Sequence, residues 1–161
     1  MNTRLTMQAA FAIGVASAIG CGTTPSSNTG ADAGPSIQPT FTSINANIFQ
    51  PSCANSSCHS PTGEAISGKL DLSTSPYAAL LGANGKGAPI PDSTDPGEIK
   101  AASEGYLLVT PGNPAKSFLY LKISPNLDPS YGAQMPNLGT GLTAEQVQAV
   151  SDWITAGALN N

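Results

Sequence analysis

The chain has 161 residues, room for one domain with accessories rather than two. Six Lys+Arg stand against ten Asp+Glu, a formal charge of -4, which removes the electrostatic basis for nucleic-acid binding. No basic amphipathic helix is present to hold an anionic membrane surface either. Only 10% of residues are charged and 40% are hydrophobic, while 17 Gly and 14 Pro assign much of the chain to turns and loops.

Arg4 precedes a mostly apolar run from Met7 to Ile19, too short to span a bilayer and ending in small residues. Such a run reads as a secretory signal. Its end, Ala18-Ile19-Gly20-Cys21, resembles the lipobox of bacterial lipoproteins, with Ala18 where leucine is commonest. The resemblance implies a signal peptide over residues 1–20 and acylation of Cys21 as the first mature residue. Gly22 in place of aspartate implies the outer membrane, on its periplasmic or cell-surface side. Three acyl chains would exceed the two signals that stable anchoring needs. Plain secretion, with Cys21 lost in the cleaved peptide, is the alternative. Residues 21–40 are rich in Gly, Pro, Ser and Thr, lack apolar periodicity, and read as a flexible tether.

Residues 41–161 are expected to form one all-α domain with long loops. Phe41, Ile44, Ile48 and Phe49 have helical spacing, with Thr40 or Thr42 as cap and Pro51 expected to end the helix or to sit in its last irregular turn. Ser75-Pro76 opens a second short helix that Gly82 closes. Ala83 to Glu104 is expected to be a loop without regular structure, and Tyr106–Val109 a short extended run. Asn113-Pro114 repeats the cap-then-proline signal before Phe118, Leu119, Leu121 and Lys122. A final helix begins at a Thr143/Gln146 capping box flanked by Leu142 and Val147, presents Val147, Val150, Trp153 and Ile154 on one face, and ends at Gly157.

The chemistry resides in Cys53-Ala54-Asn55-Ser56-Ser57-Cys58-His59. Two cysteines followed at once by histidine suit covalent haem attachment: each thiol adds to one vinyl group, and the imidazole reaches the iron. Four residues separate the cysteines where two are usual, so the loop must bulge to keep both sulfurs in reach. His59 is the single histidine, and once a signal containing Met1 and Met7 is removed, Met135 is the single methionine. A His/Met-ligated haem needs one of each. Met135 lies in Gly132-Ala133-Gln134-Met135-Pro136, just before the capped last helix.

From Phe41 to Ala158 the chain resembles class I cytochromes c, through the Cys-x4-Cys-His variant, the Met-Pro step and the closing Trp153-Ile154-x-x-Gly157 helix. It looks closest to cytochrome-c-like lipoproteins of soil bacteria. The resemblance implies haem c covalently held by Cys53 and Cys58 and ligated by His59 and Met135, a last helix packed across the first, and electron transfer with redox protein partners by a monomer that is not an enzyme. Phe49, Leu72, Tyr120 and Trp153 are candidates for an apolar haem pocket, and a carbonyl in the Ser60–Gly68 loop is the expected acceptor for the second ring nitrogen of His59.

Two other readings stand beside this one. Cys53 and Cys58 form a disulfide in a small haemless binding module, or the sixth iron position is open and the protein is a haem enzyme or gas sensor. Two thiols and one imidazole leave a structural zinc site one ligand short. No nucleophile–base pair or phosphate-binding glycine loop is present; Gly85-Lys86-Gly87 lacks the flanking strand and helix such a loop needs.

Overall fold

Helix formation begins where Thr40, in extended conformation, turns its hydroxyl back to accept from the Ser43 N–H, the N-cap geometry expected of threonine. The computed structural model describes residues 36–63, 69–91 and 93–161; the expected signal peptide, Cys21 and the expected tether as far as residue 35 lie outside them. Ile37, expected within the tether, packs on the core, so the tether gives way to folded chain before residue 40. Among the described residues, five α-helices are joined by long connections: α1 Phe41–Ile44, α2 Pro76–Leu81, α3 Pro96–Ser103, α4 Phe118–Ile123 and α5 Ala144–Thr155. No strand forms among them, and only isolated bridges pair Leu107 with Pro89 and with Ser117. Tyr106–Val109 is therefore extended without belonging to a sheet. No helix among these residues is long and apolar enough to cross a membrane.

Of the two places expected for Pro51, the structure shows the second: it sits in the irregular closing stretch of the first helix. α1 continues without a break into a π-helical stretch, Asn45–Cys53, that carries Pro51 inside it. Proline lacks an N–H and its ring collides with the carbonyl four residues back in an α-helix. The wider turn relieves this, and the Ala54 N–H reaches the Phe49 carbonyl five residues back at 2.8 Å. Cys53 therefore stands at the end of a continuous helical element.

The supposed loop from Ala83 to Glu104 contains α3. Asp95 caps it, its carboxylate accepting from the Gly97 and Glu98 N–H groups at 2.8 and 3.1 Å, with Pro96 at the first position. The Asp-Pro-x-Glu signal was legible but was hidden by the surrounding Gly and Pro residues. α3 packs against a 3-10 turn, Pro129–Tyr131, so tightly that a Cβ on Gly97 would lie 2.3 Å from the Tyr131 carbonyl carbon. The Asn113-Pro114 signal opens a 3-10 turn, Pro114–Lys116, and α4 follows from a new cap at Ser117.

α5 is as expected. Thr143 and Gln146 exchange both capping-box bonds, at 2.8 and 3.2 Å. Ala149, Val150, Trp153 and Ile154 are buried, and Gly157 follows with φ +100°, a conformation that favours glycine. The α5 face meets α1: the rings of Phe41 and Trp153 lie 5.8 Å apart, and Tyr77 of α2 meets Phe41 edge-on at 5.0 Å. Thr143→Ala should cost about 1 kcal/mol, the usual value of such a cap; a urea midpoint unchanged from wild type would show the box contributes nothing.

Candidate functional site

Cys53 stands at the end of the π-helical stretch, and the chain after it is folded as a stitched turn. The His59 N–H donates to the Cys53 carbonyl at 3.0 Å, closing the four-residue spacer. Inside the spacer the Cys58 N–H reaches the Asn55 carbonyl at 3.0 Å, and the Ser57 N–H reaches Asn55 Oδ1 at 3.1 Å. The extra two residues are thus absorbed by an asparagine-organised turn, which keeps the two ends of the motif together. Downstream, the Leu72 N–H donates to the His59 carbonyl at 2.9 Å. Gly63 packs beneath this segment, and a Cβ there would lie 1.9 Å from the Cys58 carbonyl oxygen. Backbone cannot yield as a side-chain tip can. Gly63→Ala is therefore expected to displace Cys58 and His59 and cut any covalent cofactor loading severalfold; wild-type loading would mean the segment tolerates rearrangement.

Both cysteines are free thiols. Burial, with the neighbouring Cys58, pushes the Cys53 pKa up to about 11, so this sulfur keeps its proton at neutral pH. A protonated thiol is a poor nucleophile, which argues against thiolate catalysis here. His59 is shifted the other way: burial lowers its pKa, the Leu70 backbone partly offsets this, and Lys122 lowers it further. The imidazole is accordingly neutral at pH 7, the form that ligates metal. Its Nδ1 is sealed from solvent and meets no partner within hydrogen-bond geometry among the described residues. The backbone group that acts on the ring is Leu70, beyond the Ser60–Gly68 loop where an acceptor was expected.

Met135 arrives from the other end of the domain. The Pro129–Tyr131 turn docks on α3, Gly132 follows with φ +84°, and the Met135 N–H donates to the Lys122 carbonyl at the end of α4 at 2.7 Å. Gln134 Nε2 lies 3.5 Å from the neighbouring Ile123 carbonyl, and the Met135–Pro136 bond is cis. The methionine loop is thereby fastened to a helix whose other residues face the same space.

That space is a cavity of about 1170 Å³, lined by Cys53, Cys58, His59 and Met135 together. It lies at and above the upper end of the range for small-molecule sites, roughly 300–1,000 Å³. Leu72, Leu80, Ile90, Leu108, Phe118, Leu119 and Ile123 supply its apolar wall, and Lys69, Asp95, Glu98 and Lys122 its charges. No known protein family, curated protein or solved structure matches this chain.

Of the four apolar pocket candidates named from sequence, Leu72 alone lines the cavity. Phe49 and Trp153 are almost wholly buried in the core, and Tyr120 packs on the core as a partly buried residue. They failed for one reason: helical periodicity marks a face as buried without saying whether the core or a cavity buries it. The wall residues of α4 and the charged trio Asp95, Glu98 and Lys122 were missed; the Asp95-Pro96 cap was the one local signal that pointed toward them.

The donor set suits a covalently held haem. Two thiols, one neutral imidazole with a buried second nitrogen, and one thioether are the groups that such a cofactor uses, and here they border a single cavity with a partly apolar wall.

Proposed function

We propose that this protein is a monohaem c-type cytochrome of the class I, cytochrome-c-like kind, a carrier of single electrons rather than an enzyme. One observation carries the reading: the two thiols, the sole histidine and Met135, drawn from opposite ends of the domain, line one cavity. Packing of α5 against α1 supports it, because the resemblance implies a last helix lying on the first.

Cys53 and Cys58 would each add S–H across one vinyl group, leaving two thioethers and no free thiol. His59 and Met135 would hold the iron. A haem so bound supplies reversible ferric–ferrous chemistry, with the thioether favouring the reduced state. Held by both His59 and Met135, such a group would serve electron transfer rather than oxygen chemistry. The apolar wall of Leu72, Leu80, Ile90, Leu108, Phe118 and Ile123 would exclude water and lower the local dielectric. Cys21, acylated, would tie the domain through its tether to the outer membrane, where it would meet redox partner proteins.

The decisive experiment is expression of the full chain together with a haem-attachment system. The expected protein is red, shows c-type bands in its reduced-minus-oxidised spectrum, and keeps its haem through denaturing electrophoresis. A colourless protein in which Cys53 and Cys58 form a disulfide would overturn the proposal in favour of a haemless module. A red protein with a high-spin, open sixth position would instead favour an oxygen-binding or sensing role.

A further inference from the structure

We infer that Lys122 is the anchor for an acidic group of the cavity's ligand, its ammonium pairing with a carboxylate that a bound tetrapyrrole carries. The inference rests on the haem reading for the identity of the ligand and on independent geometry for the site.

Lys122 sits in the last turn of α4, half-buried, and lines the cavity. Its Nζ lies 5.7 Å from the Phe118 ring centroid and donates to the Tyr131 carbonyl at 3.1 Å. An ammonium has three N–H donors. Among the described residues the other two have no partner, and no carboxylate lies within ion-pair distance of Nζ. Lys100 and Glu104, by contrast, are paired on the surface.

Asp95 and Glu98 face Lys122 and raise its pKa, but burial lowers it by more. Neither acid completes the ammonium's shell. Asp95 Oδ1 already caps α3 through Gly97 and Glu98, and Glu98 Oε2 is buried without a partner among the described residues. Gly132 packs close to both groups: a Cβ there would lie 3.2 Å from Nζ and 3.5 Å from Asp95 Oδ1. A half-buried cation whose partners among the described residues leave its shell incomplete is costly and is stabilised by an anion that brings its own acceptors. Haem and its relatives carry carboxylates on an apolar ring, which suits a cavity whose largely aliphatic wall also carries the cations Lys69 and Lys122. The same residue holds Met135 through its carbonyl, so one position on α4 would serve both the ring's acidic edge and its thioether ligand.

The test uses mesoporphyrin IX, which lacks metal and vinyl groups, so that neither thioether formation nor axial ligation contributes. The full chain made without haem attachment is titrated with mesoporphyrin IX and with its dimethyl ester, following porphyrin fluorescence. The wild type should bind the diacid about tenfold more tightly than the diester, the scale of one charge-assisted contact. Lys122→Met should lose that preference and Lys122→Arg should retain most of it. Equal binding of diacid and diester by the wild type, or no porphyrin binding at all, overturns the inference without any variant. A preference that persists in a folded Lys122→Met protein overturns it as well. Diacid preference in a protein that never acquires covalent haem would leave the anchor standing while the cytochrome reading falls.

Discussion

Met135→Ala in the haem-loaded protein should lower the midpoint potential by on the order of 0.1 V, within the roughly 0.8 V range over which axial ligands set haem potentials. The direction follows from the ligand: a thioether stabilises ferrous iron, and its removal leaves water or an imported base that favours the ferric state. The sulfur-to-iron charge-transfer band should vanish with it. The fold should survive, because Met135 is only half-buried and its loop is fastened by backbone, through its N–H to the Lys122 carbonyl. Alanine keeps that bond. Potentiometry and the absorption spectrum are read on one sample. An unaltered band with an unaltered potential would show that residue 135 does not reach the iron, and the ligand assignment would be withdrawn.

Trp153→Ala should cost roughly 3–5 kcal/mol, the range for removing a large buried aromatic side chain. For a domain of this size that corresponds to a melting temperature lower by more than about 10 °C. The indole is 1% exposed, touches the Phe41 ring, and donates its N–H to the Leu159 carbonyl at 2.8 Å. It therefore ties α5, α1 and the residues after α5 to one another. The residue does not line the cavity, so Trp153→Phe, which keeps most of the ring, should lose a smaller part of the stability and leave the haem spectrum as in wild type. Thermal melts followed by circular dichroism measure the first effect. A spectrum altered in the phenylalanine variant would show that the indole acts on the cofactor directly.

Where a signal was local, the chain announced its structure plainly. The Thr143/Gln146 box, the Thr40 cap, Pro76 at a helix start and Gly82 and Gly157 at helix ends rest on hydrogen bonds or dihedral preferences spanning a few residues. Ser75 needs no side-chain bond in the cap position, because Pro76 already presets the first turn. Pro51 lies in the irregular last stretch of the first helix, one of the two places expected for it: buried Ile48 and Phe49 hold the stretch on the core, and the π-helical widening accommodates the ring. Local signals misled where two of them competed. Gly and Pro residues around Asp95 concealed α3, whose packing against Pro129–Tyr131 outweighs its weak propensity.

The sequence by itself determined the helical class and the capped final helix, and it singled out Cys53, Cys58, His59 and Met135 as candidates, because each of these rests on side-chain type or on neighbours within a turn or two. Only tertiary structure decided that Cys53, Cys58, His59 and Met135 border the same cavity, that Leu72 belongs to its wall while Phe49 and Trp153 belong to the core, and that Lys122 stands beside them. Those facts rest on contacts between residues far apart in the chain. Such contacts depend on how helix faces are shared between core and cavity, and periodicity within one segment carries no record of which neighbour a face will meet.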